Sequence, residues 1–409
     1  MSATAVYGYR WVVVAAAAPI IMASQVFWLS FAPVATQAQA YFGTSSLGIS
    51  MLSMSYMLMY VLFTFPASWL IDGFGYRHSL VVGAVLTAVA GALRAAGGND
   101  FTAVLVCQFL IAAGQPFLLN VLTKIPANWF PLRERAVASG MLTLVQYVGM
   151  MAPMALSPLL VHSPGDIRRM MFLYAGFAVV GALLAVLFTR ERPPLPPGPS
   201  VAVENISLKA MAGLFTNAAY VQVLVLMFVS LGVFNTLLTE IDQILTPRGL
   251  SIGQADTAGA VFIVAGVVGA VLLPLLSDRI RRRIPLLTVG MVLMTAFYLL
   301  LTYARGPLLI TAIAALAGLT IMGLAPIVFQ HSAETAYPVG EGTSFGLLFL
   351  MGQISGALFI YLFEWTSAAA GSVRWPMLMF VVLTALQIPV TLRMRESPLL
   401  TASLAPTHA

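Results

Sequence analysis

Residues 66–77 read Pro66-Ala-Ser-Trp-Leu-Ile-Asp72-Gly-Phe-Gly75-Tyr-Arg77, and residues 274–283 read Pro274-Leu-Leu-Ser-Asp278-Arg279-Ile-Arg-Arg-Arg283. Each stretch follows the second apolar run of its half of the chain. Each combines a small residue, an aspartate and a basic tail. The repeat predicts a chain built from two similar halves that carry a charged loop at the same place.

The composition identifies the class of protein around these loops. The chain has 409 residues, of which 60% are hydrophobic and 8% charged, and its mean hydropathy is +0.94. Soluble domains carry about 25% charged residues, so the composition excludes a soluble fold and disorder. The single cysteine, Cys107, excludes a disulfide framework and cysteine-ligated metal sites, and we expect no cofactor and no metal. The net charge of +6 is scattered over loops, which argues against nucleic acid as a partner.

The apolar residues form runs near the length of about 20 residues that spans a bilayer. We predict an all-α membrane protein with twelve transmembrane helices in two six-helix halves. The predicted spans are 11–35, 46–70, 79–98, 101–127, 136–160, 170–189, 218–241, 254–276, 284–304, 307–330, 343–364 and 376–393. Prolines between residues 190 and 200 forbid a helix interior. The predicted domains are therefore 1–189, a linker at 190–217, 218–393 and a tail at 394–409.

The basic residues predict the orientation in the membrane. If the N-terminus is cytoplasmic, most lysines and arginines fall on inner segments. The outer loops then hold Arg94, Arg168, Arg169, Arg248, Arg305 and Arg374. The positive-inside rule places both termini in the cytoplasm. We expect no removed signal peptide, and we expect a multi-pass protein of the cell membrane, in bacteria the inner membrane.

The twelve spans, the central linker and the repeated loop resemble the major facilitator superfamily. In that superfamily the loop aspartate pairs with basic groups to hold an inner gate shut. The resemblance implies that Asp72 pairs with Arg77 and Arg133, and that Asp278 and Arg279 form the corresponding latch. A charged contact of this kind can break and re-form as the halves rock. An ordinary cluster of charges beside the membrane is the alternative.

Several motifs resemble a narrower group, the feline leukaemia virus subgroup C receptor family. The most specific are Leu52-Ser-Met-Ser-Tyr-Met-Leu-Met-Tyr60, Phe65-Pro-Ala-Ser-Trp-Leu-Ile-Asp72 and Glu334-Thr-Ala-Tyr337-Pro338-Val-Gly-Glu341-Gly342-Thr343-Ser344. The family is linked to choline and ethanolamine transport and to haem export. The resemblance implies a pocket that uses Trp28, Gln146 and Gln353, and it places Asn235 where the family has tyrosine.

The residue types agree with such a pocket, which we expect near the bilayer midplane between the halves. Trp28, with Phe27 and Phe31 beside it, offers aromatic faces that hold a desolvated ammonium. The alternative is that these rings only pack between helices. Gln146, Gln353, Gln115 and Asn120 place amides in apolar surroundings, where they need polar partners. The partners could be a substrate or a neighbouring helix.

The distribution of charged residues limits the class of substrate that we expect. No charged side chain occurs between Trp11 and Ile71. An anionic substrate would be expected to require an arginine or lysine inside the membrane. Because we expect none in the first half, the sequence favours a neutral or cationic solute.

Four titratable residues lie near predicted helix ends. Glu240 and Asp242 lie toward the outer end of the seventh span, and His331 and Glu334 lie near the inner end of the tenth. Such groups could line a vestibule or couple protons to transport. The alternative is a solvated helix end, with Asp242 compensated by Arg248. No carboxylate lies deep in a predicted span, which favours facilitated diffusion.

We therefore predict a transporter that moves a small organic solute by alternating access. The preferred solute is a choline- or ethanolamine-like cation, and the expected partners are that solute and the lipid bilayer, with a monomer as the working unit. A proton-coupled exporter of drugs, haem or another hydrophobic metabolite is the alternative within transport. A receptor or sensor without turnover is the alternative of another class. An enzyme is not expected: Gly342-Thr-Ser344-Phe-Gly346 matches a hydrolase motif, but it joins two membrane helices and no strand precedes it.

Overall fold

The computed structural model describes residues 6–122, 124–195, 212–245, 248, 250–280, 282–336, 339 and 341–396. The described residues form helices and no strands. Twelve segments of this described part are long and apolar enough to cross a membrane. The predicted all-α fold with twelve membrane-spanning segments is confirmed.

The chain divides into two compact units, Met1–Val203 and Glu204–Ala409. The helices of the N-terminal unit are α1 (Tyr9–Leu29), α2 (Ala35–Phe42), α3 (Ser46–Phe74), α4 (Tyr76–Ala96), α5 (Phe101–Leu119), α6 (Lys124–Trp129), α7 (Leu132–Leu160) and α8 (Asp166–Phe188). Those of the C-terminal unit are α9 (Ala218–Thr239), α10 (Ile241–Leu245), α11 (Ile252–Ile280), α12 (Ile284–Tyr303), α13 (Pro307–Ala336), α14 (Glu341–Ala370) and α15 (Arg374–Arg393).

Packing within each unit follows one scheme. In the N-terminal unit α3 packs on α5, α1 on α7, and α4 on α8. In the C-terminal unit α11 packs on α13, α9 on α14, and α12 on α15. The large apolar side chains left exposed by this packing, such as Leu62, Leu187 and Leu392, are those expected to face lipid.

Two predicted spans are broken helices. The first span leaves the α-helical path after Leu29 and passes through a short 3-10 helix, Ala32–Val34, before α2. Pro33 lies in this segment and cannot donate a backbone hydrogen bond. The fourth span is interrupted between α5 and α6, at Asn120. Hydropathy does not distinguish such breaks from continuous helix, because most of the surrounding residues are apolar.

The Asn120 side chain holds the second break against α3. Its Nδ2 donates to the Thr64 carbonyl at 3.2 Å, to Thr64 Oγ1 at 3.4 Å and to Ser68 Oγ at 3.2 Å. Its Oδ1 accepts from the Tyr60 hydroxyl at 3.1 Å. The amide is therefore occupied within the N-terminal unit, as the helix-packing alternative for Asn120 expects.

The start of α4 is capped by a carboxylate from the far end of the same unit. Glu191, which follows α8, accepts from the backbone amides of Tyr76 at 3.2 Å and Arg77 at 2.8 Å. A negative group there binds free amides and the positive end of the helix dipole. Gly75 just before the helix has φ +95°. A Cβ at this position would collide with the Glu191 carboxylate. Glycine is therefore required at position 75 both for the positive φ and for the close approach of Glu191.

The C-terminal unit repeats the arrangement. Glu396, which follows α15, accepts from the backbone amides of Arg283 at 2.9 Å and Ile284 at 3.0 Å, where α12 begins. The similarity first seen in the two loops therefore extends to the residues that follow the last helix of each unit. We call Glu191 and Glu396 the carboxylate caps.

Glu191→Ala should destabilise the protein because it leaves the first amides of α4 without an acceptor. We expect a loss of about 1–2 kcal/mol in the free energy of unfolding, measured as a lower melting temperature in detergent. Arg192→Ala, at the exposed neighbouring residue, is the matched control and should stay within about 0.5 kcal/mol of the parent. Equal effects of the two changes would contradict the capping role.

Asn120→Ala should also act on stability, because it removes the contacts that hold α5 to α3. We expect a loss of about 1–3 kcal/mol, with the apparent affinity for any transported solute unchanged. Melting curves and concentration-dependent uptake by the same variant separate the two effects. A weakened affinity without a change in stability would return Asn120 to the substrate site.

Candidate functional site

Trp28 lies buried near the end of α1, with 6% of its surface exposed. Its carbonyl accepts from Ser53 Oγ of α3 at 3.1 Å, which holds the backbone in place. Its indole Nε1 is buried and has no hydrogen-bond partner among the described residues. An unpaired buried donor is costly, so the indole combines an aromatic face with a donor that still requires an acceptor.

Gln25 lies one helical turn before Trp28 and was not singled out in the sequence. It is 1% exposed, and neither its Oε1 nor its Nε2 has a partner in the described part of the chain. The reason for its burial is the close approach of α1 and α7. A Cβ on Gly149 of α7 would lie 2.8 Å from the Gln25 Cβ and 2.7 Å from the Met22 carbonyl oxygen. Only glycine permits this contact.

Gln146 lies on α7 one turn before Gly149 and is partly exposed. Residues three apart share a helix face, so Gln146 is near the level at which α1 and α7 meet at Gln25. The predicted residues Trp28 and Gln146 therefore belong to neighbouring helices of one unit, and Gln25 adds a third polar group to the same helix pair. We call Gln25, Trp28 and Gln146 the α1–α7 polar group.

Phe27 and Phe31 contact a cation that belongs to the chain. The guanidinium carbon of Arg94 lies 4.5 Å from the centroid of the Phe27 ring and 5.0 Å from that of Phe31. Arg94 Nη1 donates to Gln108 Oε1 at 2.6 Å and to Ser30 Oγ at 3.3 Å. These five residues form what we call the arginine cluster.

Gln108 sets the geometry of the arginine cluster. Its Nε2 donates to the carbonyls of Phe27 and Leu52, each at 3.1 Å. With both amide hydrogens used in this way, its Oε1 faces Arg94. One glutamine therefore connects α5 to α1 and α3 and holds the arginine of α4.

Two expectations from the sequence are wrong here. Arg94 is not in an outer loop: it lies within α4 and its exposed fraction is 0%. The expectation that the first half buries no arginine or lysine in its spans also fails. The absence of a buried cation therefore cannot support a neutral or cationic solute, and any such conclusion must come from other residues.

The remaining predicted amides differ in their surroundings. Gln115 is 5% exposed and its Oε1 has no partner among the described residues, whereas Asn120 makes the contacts with α3 given above. In the C-terminal unit Asn235 of α9 is buried with its Nδ2 unpaired in the described part, and Gln353 of α14 is buried. Gly352, next to Gln353, lies close to Leu231 of α9, so α9 and α14 meet at this level.

The acidic residues after the seventh span are not at a solvated helix end. Glu240 and Asp242 are 1% and 2% exposed. Gln243 Nε2 donates to Glu240 Oε2 and to Glu364 Oε1, each at 2.6 Å. Glu364 of α14 is also buried. Its burial could not be predicted from the sequence, because it lies at the predicted end of the eleventh span. The alternative of a solvated helix end is therefore wrong for Glu240 and Asp242.

Arg248 does not compensate Asp242. Its Nη1 and Nη2 have no hydrogen-bond partner in the described part of the chain, and it forms no ion pair with Asp242. Burial, and then the charge of Arg374, lower the pKa of the Arg248 guanidinium to about 10.

Glu334 forms an ion pair with Arg283 at 2.6 Å and accepts from Gln330 at 3.2 Å. His331 is buried one turn earlier, with Nδ1 unpaired among the described residues. Arg283 is also the residue whose amide binds the cap Glu396. Glu334 is therefore part of an ion pair beside the start of α12.

The predicted latches are only partly described. The side chains of Asp72, Arg133 and Asp278 lie outside the described part of the chain, as do Tyr337 and Pro338 of the tenth loop, and Arg279 is exposed. Arg77 donates from Nε to the Thr189 carbonyl at 2.8 Å and from Nη2 to the Val186 carbonyl at 3.1 Å. Arg77 thus binds the carbonyls at the end of α8. The pairings of Asp72 and of Asp278 stay predictions.

The comparisons with known proteins agree with this architecture. The sequence matches the profile of the Major Facilitator Superfamily over residues 1–360 and 223–402. Solute carrier family 49 member A3 from Danio rerio is 33% identical over 375 residues, 88% of this chain and 79% of that protein. The choline/ethanolamine transporter FLVCR1 from Felis catus is 28% identical over 358 residues, 81% of this chain and 63% of that protein.

A crystal structure of a bacterial homologue of the human lysosomal transporter Spinster superposes with a TM-score of 0.82 at 16% identity. It covers 96% of this chain and 100% of that chain. The likeness shows the fold. The relatives and the fold are those of membrane transporters and not of enzymes. The chain belongs to the Major Facilitator Superfamily and, within it, to the solute carrier 49 family that includes the FLVCR proteins.

Proposed function

We propose that this transporter moves a choline- or ethanolamine-like organic cation by alternating access. The observation that carries the proposal is the α1–α7 polar group, in which a buried tryptophan and a buried glutamine leave their polar atoms without partners in the described part of the chain. FLVCR1, a 28% identical relative, is named as a choline/ethanolamine transporter, which supports the same substrate class.

Trp28 supplies the aromatic face for the ammonium. A desolvated cation over an indole ring is stabilised by about 2 kcal/mol. Phe27 and Phe31 are left out of this role because their faces contact Arg94. The ammonium therefore depends on Trp28 alone among the three aromatic residues first expected to bind it.

Gln25 supplies the contact for the hydroxyl end of the substrate. Oε1 and Nε2 of Gln25 have no partner among the described residues, so Oε1 requires a donor and Nε2 requires an acceptor. A hydroxyl group provides both, whereas a quaternary ammonium provides neither. Gln25 therefore favours a solute that carries a hydroxyl beside its cationic group. Gln146 on α7 is proposed as a further polar contact, and the roles expected for Asn235 and Gln353 stay predictions.

We place the protein in the cell membrane with both termini in the cytoplasm, as the distribution of basic residues supports. A monomer is the proposed working unit. Facilitated diffusion is the first proposed mode, since choline-like cations are driven inward by a negative interior potential without a coupled ion.

Proton coupling is a second candidate that one observation favours. The buried carboxylates of Glu240 and Glu364 both contact Gln243 Nε2. Buried carboxylates of this kind are the groups that relay protons in coupled transporters. An imposed pH gradient in the transport assay separates the two modes, because only proton coupling makes uptake depend on it.

Trp28→Ala should raise the KM for choline about thirtyfold, because it removes about 2 kcal/mol of cation binding. The measurement is uptake of radiolabelled choline into proteoliposomes, with and without a pH gradient. Trp28→Phe keeps an aromatic face and should retain most of the affinity.

Trp11→Ala, at an exposed tryptophan of the same helix, is the control and should behave as the parent. Absence of saturable choline uptake by the folded parent would reject the proposed substrate. Equal KM values for the parent and Trp28→Ala would reject the assigned role of Trp28.

Gln25→Leu should reduce discrimination between choline and tetramethylammonium, which lacks the hydroxyl. The parent should prefer choline at least about tenfold, because the analogue leaves buried polar atoms unpaired. Competition of each compound against labelled choline gives the ratio.

Gln254→Leu, at an exposed glutamine, is the matched control and should keep the parental ratio. A Gln25→Leu protein that transports choline with an unchanged ratio would show that Gln25 serves helix packing only.

A further inference from the structure

The guanidinium of Arg94 is hydrogen-bonded along one edge only. Nη1 donates to Gln108 and Ser30, whereas Nε and Nη2 are buried and have no partner among the described residues. In arginine, Nε–H and the nearer Nη2–H point in the same direction and form a two-pronged donor. The edge left without a partner is therefore the edge that matches an anion in a bidentate contact.

The positive charge of Arg94 is not compensated by any carboxylate among the described residues. The titratable groups that interact with it electrostatically are Tyr56, Tyr174 and Cys107, which are ordinarily neutral at pH 7. Arginine does not lose its proton in proteins. The faces of Phe27 and Phe31 attract the cation, but they bring no net negative charge.

The rest of the arginine cluster keeps this edge in place. Gln108 is held by two backbone carbonyls and holds Nη1 in turn. The two phenylalanine rings lie against the guanidinium. The donor pair is thus positioned before any ligand arrives, which is the condition for tight binding of a small ion.

We infer that Nε and Nη2 of Arg94 bind one small monovalent anion, either chloride or the carboxylate of an organic solute. The two sources share the chemistry that the arginine edge recognises: a single negative group that accepts two parallel N–H bonds. The site lies within the N-terminal unit and uses neither of the residues assigned to the ammonium and hydroxyl contacts, Trp28 and Gln25, so the inference holds whether or not choline is the substrate.

The test is anion-dependent stability of the purified full chain in detergent. Sodium methanesulfonate is replaced by sodium chloride, or by sodium acetate, at constant ionic strength, and the melting temperature is followed by intrinsic fluorescence. A ligand that binds only the folded state raises this temperature with a saturating dependence on concentration. We expect a rise of at least about 2 °C in the parent.

The variants connect the effect to Arg94. Arg94→Lys keeps the charge but lacks the two-pronged edge, and should lose the saturating rise. Arg94→Met removes the charge altogether and therefore the need for an anion; it should fold and melt at the same temperature in every salt. Arg305→Lys, at an exposed arginine, should respond as the parent does.

The outcomes are distinct. A response to chloride alone assigns the site to the inorganic ion, and a stronger response to acetate assigns it to a solute carboxylate. A parent whose melting temperature is the same in all salts would overturn the inference. So would an Arg94→Lys or Arg94→Met protein that keeps the parental dependence on either anion.

Discussion

A helix in hydrocarbon uses its backbone hydrogen-bonding groups on itself, so each polar side chain it carries must find a partner of its own. The structure depends on how this constraint is met at a few positions. Asn120 is fully used against α3, and Gln108 joins two backbone carbonyls to Arg94. Gln25 and Trp28 keep polar atoms that no described residue satisfies. The first pair explains how the N-terminal unit is held together, and the second indicates where a solute would be recognised.

Aromatic rings do not themselves determine which cation they hold. Phe27, Trp28 and Phe31 are close in sequence and chemically suited to an ammonium, yet two of the three are turned to Arg94. An internal cation and a transported one compete for the same kind of surface. Which of these rings binds Arg94 and which is left for the substrate therefore depends on how α4 packs against α1. The sequence of α1 alone does not determine it.

The number of spans and the boundary between the similar halves of the sequence can be predicted from hydropathy and proline content. Both signals are summed over many residues, so no single side chain decides them. The site depends on single side chains, and there the sequence was less informative. Arg94 stands inside the predicted span 79–98, and that position was the available signal for its burial. Gln25 offered no comparable signal, since its burial depends on the contact of α1 with Gly149. The burial of Glu240 and Glu364 likewise depends on Gln243 and on α14 extending beyond its predicted end.

The carboxylate caps give each unit a defined order of completion. Glu191 is among the last residues of its unit to be synthesised, and the amides it binds, at Tyr76 and Arg77, belong to a helix made much earlier. Until Glu191 has been synthesised, the first amides of that helix lack the carboxylate that accepts their hydrogen bonds. Glu396 stands in the same relation to Arg283 and Ile284. In each unit the N-terminus of the third membrane-spanning helix is thus capped by the segment that follows the sixth, so a nascent chain that stops before either glutamate keeps an uncapped helix end.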